Sequence, residues 1–164
     1  MNGKNVFVSF LILFIFWRLI NNSLDVLNLG IGAALALVIS LLFCGSCDVF
    51  SKIRLTPKSI LYTFIYLLVF LGELIKSNLD VARRVLSPAL PINPGIVEVK
   101  TKLTSRMGRM ILSNSITLTP GTLTVDVKDD RLFIHWIDVK SEDIEEATNQ
   151  IVRKFEKYLE EIYG

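Results

Sequence analysis

Apolar residues change their rhythm along this chain. Up to about residue 87 they come in long runs, and beyond it they alternate or recur at helical spacing. Val6–Ile20 (VFVSFLILFIFWRLI) is a run of fifteen interrupted only by Arg18, and Val26–Cys44 (VLNLGIGAALALVISLLFC) is nineteen residues without a charge. Ile60–Leu74 (ILYTFIYLLVFLGEL) adds fifteen more, with Glu73 at its end. A bilayer core of about 30 Å calls for about 20 apolar residues in helical form. The pattern therefore predicts membrane helices over 6–20 and 26–44, and a third over 60–86 that either spans or lies in the interface. The first run is read as a retained helix rather than a signal peptide, because no small-x-small cleavage site follows Trp17–Asn22 and a second run arrives at once. Asn21-Asn22-Ser23 supplies the turn of an antiparallel hairpin. Small residues at Gly32, Ala36 and Ser40, with Gly30 and Ala34 on a neighbouring stripe, mark a face on which another helix can approach closely.

From Leu71 to Leu86 the pattern turns amphipathic, with Leu71, Leu74, Ile75, Leu79, Ala82 and Leu86 on one face. Glu73 with Lys76, and Asp80 with Arg83 and Arg84, are ion-pair neighbours along a helix. Ser87-Pro88 stops it, and Pro91 and Pro94-Gly95 make a connector. Beyond the connector, Ile96–Leu103, Thr122–Val127 and Leu132–Val139 alternate as half-buried strands, the last two joined through the turn residues 128–131. A short helix is expected over Ser105–Asn114. A long one follows Ser141 as its cap, with acids in its first turn and Ile144, Ala147, Ile151, Phe155, Tyr158 and Ile162 inward. The expected fold is a membrane α-helical hairpin plus a third hydrophobic helix, then a small α+β domain in the order β-α-β-β-α. Its expected boundaries are a membrane region over 1–87, a linker over 88–95 and a polar domain over 96–164. About seventy residues is marginal for a free-standing core, so docking would help this domain.

Composition sharpens the split. Of 164 residues 51% are apolar and 21% charged, and mean hydropathy is +0.49. Residues 1–59 hold five Lys/Arg and two acids, whereas 95–164 hold ten and twelve, so a net +3 front precedes a net −2 back. An ordinary soluble globule and a disordered tail are both excluded by that distribution. No strongly basic face appears, which argues against a nucleic-acid partner and points to the lipid bilayer instead. Lys4 and the Lys52/Arg54/Lys58 cluster put both ends of the hairpin inside. Lys76, Arg83 and Arg84 follow the third run, so positive charge flanks it on both sides, and two firm spans with a short, tilted or interfacial third fit best.

The chemistry inventory is thin. His135, the single histidine, alternates with Ile134 and Trp136 in a strand and reads as a structural hydrogen bonder, outside any triad, zinc-ligand or phosphate-loop pattern. Thr119-Pro120-Gly121-Thr122 reads as a tight turn feeding a strand. Cys44-Gly45-Ser46-Cys47 matches C-x-x-C, but it ends a membrane helix without a βαβ setting or a second pair; a membrane thiol-redox protein stays an alternative reading. Glu73, Asp80 and Arg18 sit at hydrophobic borders, where pairing or snorkelling is the expected behaviour. The first two segments hold no acid placed to relay protons or bind a cation. No catalytic residue, cofactor or metal is expected, and the chain is not expected to be an enzyme.

Three stretches carry a resemblance: Phe14-Ile15-Phe16-Trp17, Gly72–Ala82 (GELIKSNLDVA) including Glu73 and Asn78, and Leu112–Val127 (LSNSITLTPGTLTVDV) followed by Leu132–Trp136. Together they resemble the E-type component of multisubunit Mrp/Mnh-type sodium/proton antiporters, over nearly the whole chain in order. Similar E-type components occur in archaeal membrane-bound hydrogenases and related ferredoxin-linked complexes. The resemblance implies an accessory multi-pass subunit of the cell membrane with a cytoplasmic C-terminal domain. Its partners would be other antiporter-type membrane subunits in a hetero-oligomer, and its role would lie in assembly and stability. It implies no catalytic residue and nothing for Cys44 and Cys47. Trp17, Glu73, Asn78, Thr119, Pro120, Gly121, Thr122 and His135 then read as family-motif positions, beside the packing positions Gly32 and Ala36.

Overall fold

The computed structural model describes residues 3–21, 25–44 and 56–163. The chain divides into two compact units, Met1–Ile53 and Arg54–Gly164. The division falls before the third helix. By its contacts that helix belongs with the α+β domain.

In the first unit, α1 (Gly3–Asn21) and α2 (Val26–Cys44) pack against each other. α2 is long and apolar enough over Val26–Phe43 to cross a bilayer. The apolar part of α1, Asn5–Asn21, is shorter. The expected turn at Asn22-Ser23 and the basic cluster at Lys52/Arg54 lie outside the described residues, as does Cys47.

In the second unit, α3 (Pro57–Leu86) runs for 30 residues. Thr56 caps it, its hydroxyl accepting from the Ser59 amide at 3.1 Å, and Pro57 follows in the first turn, where its missing N–H costs nothing. By length and apolarity α3 also qualifies as a span. Its two sides differ, however. Tyr62, Tyr66 and Phe70 pack on the domain core, whereas Ile60, Leu61, Phe64, Leu67, Leu68, Leu71, Ile75 and Leu79 stand exposed.

Next come β1 (Gly95–Lys100), α4 (Arg106–Leu118), β2 (Thr122–Lys128), β3 (Arg131–Trp136), α5 (Ile144–Ile151) and α6 (Arg153–Tyr163). The three strands form an antiparallel sheet in the order β1-β3-β2. Val97, Val99, Leu132 and Ile134 point to the core, where Leu112 and Ile116 of α4 and Ala147, Ile151, Phe155, Leu159 and Ile162 of the C-terminal helices meet them. Burial pushes the phenol of Tyr163, beside this core, above the usual tyrosine range, and the nearby Tyr66 adds to it.

Several boundaries differ from expectation for local reasons. α4 continues to Leu118 because Ser113 and Ser115 turn their hydroxyls back on Arg109 and Ile111 carbonyls, so these polar residues stay in the helix. β1 ends at Lys100 because Thr101 turns away to bond Glu156, its hydroxyl donating to the carboxylate at 2.6 Å. The expected long C-terminal helix is two: α5 ends at Ile151 and α6 starts at Arg153. Its cap is Asp143, which accepts from the Glu146 amide at 2.9 Å, while Ser141 accepts from the Asp143 amide at 3.2 Å.

Candidate functional site

The residues singled out from the sequence fall into three places. The first is inside the hairpin. The Trp17 indole donates to Asn28 Oδ1 at 3.0 Å and to the Asn28 carbonyl at 3.2 Å. Gly32 makes room for that ring, since a Cβ built there would stand 2.2 Å from Trp17 Cδ1. Ala36 and Ser40 continue the buried stripe, with the Ser40 hydroxyl turned onto the Ala36 carbonyl at 2.6 Å. The small-residue face thus receives α1 of the same hairpin, while Gly30 and Ala34 on the neighbouring stripe stay exposed. Asn28 was missed from the sequence, where nothing marks one amide as the partner of one indole.

The second and richest place is a groove of about 550 Å³ between α3 and the domain. Its floor is the turn Thr119-Pro120-Gly121-Thr122, closed by the Thr122 amide on the Thr119 carbonyl at 3.2 Å. Pro at the second position and Gly121 at φ +92° at the third make it a type II turn, a geometry that favours glycine there. The Thr119 hydroxyl donates to the Ser115 carbonyl, and the Thr122 hydroxyl to the carbonyls of Ile116 and Thr119, which satisfies the end of α4. A Cβ on Gly121 would stand 3.0 Å from Ile137 Cγ2 and 3.7 Å from Val81 Cγ2. Val81 belongs to α3, so the two stretches GELIKSNLDVA and LTPGT, distant in sequence, lie against each other.

Ion pairs fasten the walls. Glu73 accepts from Lys154 of α6 at 2.7 Å and lies 3.9 Å from Lys76. Arg84 bonds Asp80 at 2.7 Å, Asp138 at 2.9 Å and the Pro91 carbonyl at 2.6 Å. Further along, Tyr66 and Ser115 share a hydrogen bond through their hydroxyls, and Lys58 meets Glu161 at 2.7 Å. The connector is held too: the amides of Asn93 and Val139 donate to the carbonyls of Ile137 and Asn93. Lys154, Asp138 and the buried Glu156 were missed from the sequence, because the helix bearing Lys154 and Glu156 looks like a charged surface helix until its partners are placed. Glu156 accepts from the Thr101 hydroxyl and the Lys102 amide and pairs with Arg153. Asn78 is not in the groove; it stands on the exposed side of α3, donating to the Leu74 carbonyl at 2.7 Å.

The third place is the open face of the sheet. His135 sits in a row between Ile96 of β1 and Leu123 of β2, away from the groove. Among the described residues no group of three or more His, Cys, Asp or Glu is placed to hold a metal ion.

These features define a class: a small membrane protein in which an α+β domain is fastened along an amphipathic helix. Residues 10–162 match the family described as Na+/H+ ion antiporter subunit, and the chain belongs to that family, among its E-type members. It is 36% identical over 155 residues to the E1-type component of the Na(+)/H(+) antiporter of Staphylococcus saprophyticus, covering 93% of this chain and 92% of that one. It is 47% identical over 96 residues to the E-type component of the Na(+)/H(+) antiporter of Bacillus subtilis, a stretch that covers 57% of this chain and 60% of that relative. Among solved structures, a chain of the membrane-bound sulfane sulfur reductase, an archaeal respiratory membrane complex, superposes with a TM-score of 0.82 at 47% identity. That match covers 94% of this chain and 96% of the other.

Proposed function

We propose that this chain is an accessory subunit of a multisubunit sodium/proton antiporter in the cell membrane, serving assembly and stability rather than catalysis or ion passage. The observation that carries the reading is the groove. Its charged residues face one another across α3 and the domain, Glu73 to Lys154 and Arg84 to Asp138, and its motif residues shape a turn. Groups committed to each other in this way hold a joint; an ion relay needs acids free to exchange partners within the bilayer. Trp17, Gly32 and Ala36 do the corresponding work inside the hairpin, and Glu73, Thr119, Pro120, Gly121 and Thr122 in the joint, while Asn78 and His135 are open to a neighbouring protein of the complex. The basic residues at the hairpin ends support a cytoplasmic C-terminal domain.

Affinity purification of the tagged chain from native membranes tests this reading. Large antiporter-like subunits should come with it, and its deletion should lower the amount of assembled complex while leaving the cation affinity of the remainder unchanged. Recovery of the chain without any large membrane subunit would sink the proposal. A second reading places the chain in a membrane-bound respiratory complex that contains an antiporter-like module. Supporting it is the 47% identity over 94% of the chain to the sulfane sulfur reductase component, against 36% over 93% for the staphylococcal antiporter component. The same purification separates the two, because only a respiratory complex would bring redox subunits as well.

A further inference from the structure

The two sides of α3 carry an inference that the antiporter reading does not contain. At about 100° per residue, Ile60, Phe64, Leu68, Leu71, Ile75 and Leu79 fall on one arc of the helix. All six are exposed, from 43% at Leu71 to 69% at Leu68. The opposite side is occupied by the domain for almost the full length of the helix: Lys58 meets Glu161, Tyr66 meets the edge of Phe155, Glu73 meets Lys154 and Arg84 meets Asp138. From Lys58 to Arg84 the rise is about 39 Å, more than the hydrocarbon thickness of about 30 Å. A spanning α3 would draw the domain into the bilayer beside it, with Glu98, Arg131 and Lys128 on its sheet. An α3 lying flat puts the apolar arc in lipid and leaves the domain in water.

Charge selects the kind of surface. Lys76 and Arg83 project within about 20° of each other, about 40–60° beyond one edge of the apolar arc. The side chain of Lys76 is 79% exposed and Arg83 is exposed as well. The acids of the helix, Glu73 and Asp80, project about 40–80° further from the apolar arc, toward the domain, and are engaged by Lys154 and Arg84. A cationic edge beside an apolar face is the arrangement by which helices lie in the headgroup layer and favour anionic lipid. We propose that α3 docks flat on a bilayer surface, its apolar arc among the upper acyl chains and Lys76 and Arg83 on anionic phospholipid headgroups.

The test places a nitroxide label, one at a time, at Leu61, Leu68, Leu71 and Leu79 of the full chain carrying Cys44→Ser and Cys47→Ser, reconstituted in nanodiscs with and without phosphatidylglycerol. Accessibility to oxygen and to a water-soluble nickel reagent reports depth. The expected result is one shallow depth at all four positions, with the oxygen-to-nickel ratio rising several-fold when phosphatidylglycerol is present. Lys76→Gln with Arg83→Gln should remove that rise while leaving the labels in lipid. A depth that peaks at Leu68 and falls toward both ends would mean a spanning helix and overturn the proposal. So would labels screened from both reagents, which would mean that protein covers the arc. A rise that persists in the double variant would overturn the assignment of the headgroup contacts.

Discussion

α2 and α3 pass the same test of length and apolarity, yet they are different objects. α2 is apolar on every side, with small residues where α1 approaches and Leu35, Leu37, Val38 and Leu41 exposed around the rest. α3 is apolar on one arc and carries tyrosine, phenylalanine and paired charges on the other, where its own domain covers it. Hydropathy averages over the circumference of a helix, so it cannot separate these cases. Which residues share a face does separate them, because lipid satisfies a side chain from all directions and an interface from one.

The largest effect is expected where α3 meets the domain. Gly121→Val would put a branched side chain at positive φ and 3.0 Å from Ile137, costing about 3–4 kcal/mol from backbone strain and overpacking together. Thermal unfolding of the detergent-solubilised protein should show the loss, with Gly121→Ala milder. Next comes the contrast between the two helices themselves. Leu35→Lys in α2 should cost about 3 kcal/mol in a membrane-insertion assay, while Leu68→Lys in α3 should cost well under half of that. Equal penalties would erase the distinction between them.

Within the domain, Glu156→Ala should destabilise by about 2 kcal/mol in denaturant unfolding, since it leaves the buried Thr101 hydroxyl and the Lys102 amide without their acceptor. The smallest effect belongs to the pair across the groove. The Glu73 and Lys154 side chains are 23% and 32% exposed, so a double-mutant cycle should give a coupling of only about 0.5–1 kcal/mol, weakening with salt. A coupling near zero would mean that apolar packing of Tyr62, Tyr66 and Phe70, without the ion pair, sets the position of α3.

The sequence was legible where a pattern is local. Long apolar runs placed α1 and α2, alternation placed the three strands, and Pro-Gly placed the turn that ends α4. It was misleading where a residue's role depends on a distant partner. The helix expected to end at Asn114 runs on to Leu118 with Ser115 bonding its own helix, Glu156 looks like a surface charge but is buried, and Ser141 stands near a cap that Asp143 supplies. The stretches Gly72–Ala82 and Leu112–Val127 were singled out only separately, and the sequence did not show that they meet.

By itself, then, the sequence determined that an apolar hairpin is followed by a long two-faced helix and a small α+β domain, because periodicity is a property of neighbours along the chain. Tertiary structure alone decided that the helix belongs with the domain and that Gly32 exists to seat Trp17. It also decided that Gly121 rests beside Val81 and that Glu73 and Arg84 find Lys154 and Asp138 rather than only their helical neighbours. Those contacts join residues far apart in sequence, and their geometry exists only once the core that holds both partners has formed.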